Sequence, residues 1–142
     1  VAAMKKGTLL NSELSYQISQ LGHTDEITIS DAGLPIPDGV KRIDLALCHG
    51  VPEFIKTVQT VLSEMKLECI ILAREFKEVS PEHHRQLMAI IEQEEKQSGE
   101  AIDISYVTHE EFKCLTKKSK AIIRTGEFTA YANVIFKSGV VF

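Results

Sequence analysis

The sequence predicts an α/β fold: a three-layer α/β/α domain built on a largely parallel, mixed sheet. Three observations predict it. Short segments of alternating apolar residues are separated by helical patterns of about ten to fifteen residues, the order that builds strand–helix–strand units. Leu67 to Ala73 is a near-continuous apolar run broken only by Glu68, as a strand buried on both faces requires. Hydrophobic residues make up 44% and charged residues 25% of the 142, which suits one core and one domain over 4–142.

Each element has its own signal. Leu10, Leu14, Ile18 and Leu21 recur at helical spacing, predicting a helix from Asn11 to Leu21, capped by Asn11 or Ser12 and stopped by a left-handed Gly22. Ile27 and Ile29 alternate with polar neighbours in a strand from Glu26 to Ser30 that ends at Asp31. The segment Gly33-Leu34-Pro35-Ile36-Pro37-Asp38-Gly39 admits no regular element and predicts a shaped loop. Ile43, Leu45 and Leu47 alternate as a second strand, and Gly50-Val51-Pro52 leads into a helix whose inner face carries Phe54, Ile55, Val58, Val61, Leu62 and Met65.

After the Leu67–Ala73 strand, Ser80 caps a helix opened by Pro81, with Leu87, Met88, Ile90 and Ile91 inward, a solvated Glu92 to Lys96 stretch and a stop near Gly99. Ile102, Ile104 and Tyr106 mark another strand. Thr108-His109-Glu110-Glu111 is a capping box that starts a helix through Phe112 and Leu115. Ala121 to Ile123 and Tyr131 to Phe136 are the final strands.

Composition narrows the function classes. Sixteen Lys+Arg against twenty Asp+Glu give a net charge of −4, and six Phe, three Tyr and no Trp leave few stacking platforms. A nucleic-acid partner is therefore not expected, and a small molecule or a protein is. The longest apolar runs fall far short of a membrane span of about 18 residues. Cys48, Cys69 and Cys114 never form a C-x-x-C pair, which fits a reduced cytoplasm. Val1-Ala2-Ala3 precedes Met4-Lys5-Lys6 and reads as an expression scar over residues 1–3.

The local signatures of dinucleotide, P-loop, zincin and α/β-hydrolase sites are all absent. In open α/β sheets ligands sit beyond the carboxyl ends of strands, which directs attention to Asp31, Cys48-His49, Arg74 and Thr108-His109. His23 and Asp31 form a pair suited to proton transfer near neutral pH if the fold brings them together; they equally suit an exposed turn histidine and a turn aspartate. In the first turn of its helix, His109 is disfavoured as imidazolium by the helix dipole, and it serves either as a neutral hydrogen-bonding group or as a solvated residue. Tyr131-Ala132-Asn133 offers a phenol, a carboxamide and free backbone groups of the kind that bind neutral hydroxyls, though an ordinary strand start has the same look. Glu127 adds an acceptor or closes a turn. His49 beside Cys48 carries no role, and His83 and His84 read as surface residues without metal-ligand spacing, so no metal site is expected.

Several motifs in a fixed order resemble the RbsD/FucU family. They are Met4-Lys5-Lys6-Gly7-Thr8-Leu9-Leu10-Asn11, Leu21-Gly22-His23-Thr24-Asp25, Asp31-Ala32-Gly33-Leu34-Pro35-Ile36-Pro37, Arg42 to Leu47, Gly50-Val51-Pro52-Glu53-Phe54, Thr108 to Lys113 and Tyr131-Ala132-Asn133-Val134-Ile135. The resemblance spans Met4 to Phe142 and implies an isomerase that interconverts the β-pyranose and β-furanose forms of free D-ribose, supplying furanose for phosphorylation. It implies His23 as proton donor, with Asp31, His109 and Tyr131, Ala132 and Asn133 binding the sugar, and a ring-based homo-decamer with sites at subunit boundaries. Ring opening of a hemiacetal by acid and base requires no cofactor and no metal. Rival expectations are an L-fucose mutarotase of the same family, a non-catalytic sugar-binding or transport-accessory module, and a purely structural oligomer component.

Overall fold

The computed structural model describes residues 4–142, so the expected scar at positions 1–3 lies outside the described residues. The elements run α1 (Ser12–Ser19), β1 (Glu26–Ser30), β2 (Lys41–Asp44), α2 (Phe54–Leu62), β3 (Leu67–Ala73), α3 (Arg74–Val79), α4 (Pro81–Ser98), β4 (Asp103–Val107), α5 (His109–Leu115), a 3-10 turn (Thr116–Lys118), β5 (Ala121–Arg124) and β6 (Val134–Ser138). None of these helices is long and apolar enough to cross a membrane.

The six strands lie in the order β2-β5-β1-β6-β3-β4. All neighbouring pairs are parallel except those of β6, which runs antiparallel to both β1 and β3. Five strands therefore point one way and β6, near the middle, points back. The carboxyl ends of β1, β3, β4 and β5 meet the beginning of β6 at one end of the sheet, and this end holds the site.

Alternate residues of the same strands feed two cores, which makes the three layers. Ile70, Leu72, Val134 and Phe136 pack with α1, α2 and α4 through Leu14, Val58, Leu87 and their neighbours, whereas Ile71, Ala73 and Ile135 pack with Leu34 and with Phe112 and Leu115 on α5. Phe54, Phe76, Phe112 and Phe136 are fully buried. Each such side chain stabilises the fold by about 1.5–3 kcal/mol.

Several element boundaries differ from expectation for local reasons. Gly22 is not the stop of α1: the helix closes at Gln20 through N–H bonds to Gln17 and Ile18, and the left-handed residue is Thr24, at φ 71°. β2 ends at Asp44, not Leu47, because the Asp44 carboxylate accepts from the Ala46 N–H and the chain then turns back so that the Leu47 N–H bonds to Val51 O. Leu47 is left 80% exposed. Ile104, which marks this strand together with Ile102 and Tyr106, lies 40% exposed on the edge strand β4. A six-residue helix, α3, follows β3 directly; it buries only Phe76 and so is too short to reveal a period. Ser80 opens α4 without a side-chain cap, and its Oγ instead donates to Ala130 O at 2.8 Å, tying that helix to the segment before β6. Gly99 does end α4 in the left-handed conformation, at φ 73°.

His84 is not a surface residue. It is 7% exposed, its Nε2 lies 2.6 Å from the Tyr106 hydroxyl, and its ring meets Phe76 edge-on. Burial, with the charge of Lys77 adding to it, holds the imidazole below its ordinary 6.5. The unfolded chain therefore takes up a proton that the folded chain refuses. Stability is intact above about pH 6.5 and is lost as pH falls from there toward the depressed folded value. Calorimetric melts at closely spaced pH should show the midpoint falling through this window, with a shallower fall in His84→Gln; equal slopes would exclude His84 as the cause.

Candidate functional site

A cavity of about 540 Å3 opens beyond the carboxyl ends of β1, β4 and β5, a size suited to a small ligand. Asp31, His109, Tyr131 and Asn133 line it, together with Leu34, Pro35, Arg124, Glu127, Phe128 and Thr129. Ala132 lies between two of these residues and is itself fully buried, in the core beneath the site.

Each polar group is held by the fold. Asp31 follows β1, and its backbone N–H donates to Asn133 Oδ1 at 2.8 Å while its Oδ1 accepts from the Gly33 N–H at 3.0 Å. His109 is the first residue of α5: the Thr108 hydroxyl caps the helix by accepting from Glu111 N–H, and the His109 N–H donates to both carboxylate oxygens of Glu75 at 3.1 Å. The His109 ring meets Tyr131 edge-on, with centroids 4.9 Å apart. Arg124 ends β5 and donates from Nε to Ala32 O and from Nη1 to the Asp44 carboxylate, each at 3.1 Å.

The segment from Gly126 to Asn133 is a pinned loop, so the last strand begins at Val134 and not at Tyr131 as expected. Tyr131 has φ 61°, a left-handed conformation that breaks the strand pattern and turns the next residues into the sheet end. Gly126 is required by close approach: a Cβ there would lie 2.5 Å from Val51 O and 2.6 Å from Cys48 O. The Glu127 carboxylate accepts from Phe54 N–H at 3.0 Å and from the Thr129 hydroxyl at 2.7 Å. Burial raises the pKa of Glu127, but these bonds and the charge of His83 outweigh it and hold the carboxyl below its ordinary 4.5. Glu127 thus serves the loop's architecture.

Among the described residues, two buried side-chain atoms have no hydrogen-bond partner, His109 Nδ1 and Asn133 Nδ2. Both belong to residues lining the cavity. Buried polar groups are nearly always paired, so two orphans in one cavity mark it as a place where a polar ligand completes the bonding. No group of three or more His, Cys, Asp or Glu among the described residues is placed to hold a metal ion.

Burial raises Asp31 above its ordinary 3.8, against the opposing pull of the Gly33 and Leu34 N–H groups and the charge of His109. A raised carboxylate contributes stability that is full below its unfolded value and lost as pH rises through the folded one. Ionised Asp31 near pH 7 is therefore a cost to the fold. Asp31→Asn, which keeps the acceptor for Gly33, is expected to raise the thermal midpoint near pH ~7, a gain that disappears below the ordinary 3.8. An unchanged midpoint near neutrality would refute this.

His23 stands apart from these groups. Its side chain is 51% exposed, with Nε2 3.3 Å from Glu68 Oε1. It precedes β1, whereas Asp31 follows it, and five extended residues span about 16 Å. The expected meeting of His23 with Asp31 is thus not made within one chain. Sequence reasoning also passed over Arg124, Phe128 and Thr129. Arg124 carried a readable signal, a lone cation closing the apolar run of β5; the other two are placed only by the loop. His49, which was given no role, stacks on Phe128 with centroids 4.1 Å apart and 19° between planes.

Several known proteins are similar to this chain in sequence and fold. A D-ribose pyranase from Aliivibrio fischeri is 66% identical over 139 residues, covering 98% of this chain and all of the relative. The structure of Bacillus subtilis RbsD complexed with D-ribose superposes with a TM-score of 0.89 at 47% identity, over 98% of this chain and 100% of that one. A fucose mutarotase from Streptococcus pneumoniae in complex with L-fucose superposes at 0.74 with 29% identity, over 93% and 94% of the two chains. Residues 4–141 match the RbsD / FucU transport protein family, and to that family this chain belongs.

Proposed function

We propose that this chain is an isomerase that interconverts the β-pyranose and β-furanose forms of free D-ribose. The observation that carries the reading is the pair of orphaned buried atoms, His109 Nδ1 and Asn133 Nδ2, in a cavity with ample room for a monosaccharide beside Asp31. The full-length relative at 66% identity bears the name of that activity.

The reaction breaks one C–O bond and forms another. A base takes the proton of the anomeric hydroxyl, the C1 carbonyl forms as the C1–O5 bond breaks, and an acid delivers a proton to O5. Reclosure runs the same steps backwards through O4: O4–H gives up its proton as O4 attacks C1, and the former carbonyl oxygen is protonated. Atoms and electrons balance without a metal or cofactor, and positioned acid–base groups supply about 10²–10⁴-fold.

Asp31, His109, Asn133 and the backbone from Tyr131 through Ala132 bind the sugar hydroxyls. His23 is the proton donor, and because it lies at the far end of β1, it comes from a second copy of the chain in a ring-based homo-decamer. Residues 4–142 work as one sugar-binding domain, in the cytoplasm, where the furanose is passed to phosphorylation. Magnetisation-transfer NMR on D-ribose, with L-fucose in parallel, tests the reading. Faster ribose exchange supports it; acceleration of fucose alone would make the chain a fucose mutarotase, and binding without acceleration would make it a binding module.

A further inference from the structure

One feature of the cavity is used by none of these steps. Phe128 lines the same cavity as Asp31, His109 and Asn133, yet is 65% exposed. A phenylalanine left in water contributes little to the core, and this one is held firmly. Its neighbours are fixed, Glu127 by the Phe54 N–H and Thr129 by the Glu127 carboxylate. Its ring lies flat against His49, 4.1 Å between centroids. His49 in turn sits on a loop laced to the same segment, Gly50 N–H donating to Gly126 O at 2.7 Å and Gly126 N–H to Pro52 O at 2.8 Å.

The arrangement presents one flat apolar face beside a wall of hydrogen-bonding groups. A sugar ring has the matching asymmetry: its hydroxyls seek the polar wall, while the C–H groups of one ring face have no polar partner to lose. A hydroxyl turned toward the aromatic face would be stripped of water and left unbonded. We propose that Phe128 is a specificity-determining residue whose ring receives the C–H face of the bound sugar, and that His49 is its positioning residue, holding that ring by stacking. This rests on the reading of the cavity as a pentose site.

Steady-state exchange kinetics with D-ribose and its epimers D-arabinose and D-xylose, with ribose affinity measured in parallel by calorimetry, test it. Phe128→Ala is expected to raise KM and weaken ribose affinity about three- to tenfold, with kcat nearly unchanged, and to narrow the preference for ribose over its epimers. His49→Ala should give a smaller rise of about twofold, and His49→Phe, which restores a stacking partner, should return KM to the original value. Phe128→Leu keeps apolar bulk without a flat face and should retain the defect, which guards against misfolding of the alanine variant. Wild-type KM, affinity and epimer preference in folded Phe128→Leu overturn the proposal. Absence of ribose exchange in the unmodified protein sinks the ribose isomerase reading instead, and the affinity series then still decides whether Phe128 contacts the sugar.

Discussion

His23→Ala is expected to abolish most of the catalysed exchange, by about 10²–10⁴-fold in kcat, while leaving ribose affinity and the thermal midpoint close to their original values. The side chain is half exposed, and its one polar contact among the described residues is to Glu68, so little packing is lost with it. It lies at the end of the sheet opposite the cavity, where Ser138 Oγ donates to Gly22 O and Thr24 N–H to Ser138 O. A donor so placed reaches a sugar only in another copy's cavity, and that has a consequence a single-chain site lacks. His23→Ala mixed with an Asp31→Asn chain, whose own cavity is impaired by loss of the carboxylate, should regain activity, because about a quarter of randomly assembled boundaries pair an intact cavity with an intact His23. Kinetics of the mixed and separately assembled variants check this. No recovery on mixing, with each variant assembled, would place the whole site in one chain.

The separation of His23 from Asp31 also marks where sequence reasoning stops. Both residues were legible as chemistry, and the strand between them was legible as Glu26 to Ser30, with the structure agreeing residue for residue. A short strand in sequence is nonetheless a long rod in space, and no local pattern says whether the groups at its two ends belong to one site or to two ends of a shared one. The cap of α5 shows the opposite case. Thr108 and Glu111 interact within three residues, so the capping box set the helix start correctly and with it the position of His109. Local chemistry at this scale can be read directly.

Where tertiary packing overrides the pattern, the reading fails in a consistent way. Leu45 and Leu47 continue the alternation of Ile43, yet the Asp44 side chain and the Val51 bridge turn the chain out of the sheet. Tyr131 continues the apolar pattern of β6 backwards, yet it is left-handed, in a loop whose start at Gly126 is pinned by hydrogen bonds to Gly50 and Pro52. The Val51 bridge and the Gly126 contacts both lie outside the residues whose periodicity was read. The same pinning holds the His49 loop beside Phe128, which is how a histidine with no motif of its own ends up stacked on a residue that lines the cavity.

Asn133 joins the fold to the site, and its substitutions separate the two tasks. Its Oδ1 takes the Asp31 N–H at 2.8 Å, and its Nδ2 is a buried donor without a protein partner. Asn133→Ala removes both: an orphaned Asp31 N–H costs about 1–3 kcal/mol of stability, and the lost sugar contact weakens ribose affinity by roughly tenfold. Asn133→Asp keeps an acceptor for Asp31 N–H but replaces the donor with a second buried carboxyl beside one that burial already holds above 3.8. Two such groups resist ionising together, so both folded-state values rise above their unfolded ones. The stability this contributes is present at low pH and is lost as pH rises through the folded values. Asn133→Asp should therefore match the original protein in melts near pH ~4 and fall progressively below it toward neutrality, whereas the deficit of Asn133→Ala stays nearly constant. Parallel pH profiles for the two variants would contradict the assignment of Asn133 Oδ1 to the fold and Nδ2 to the sugar.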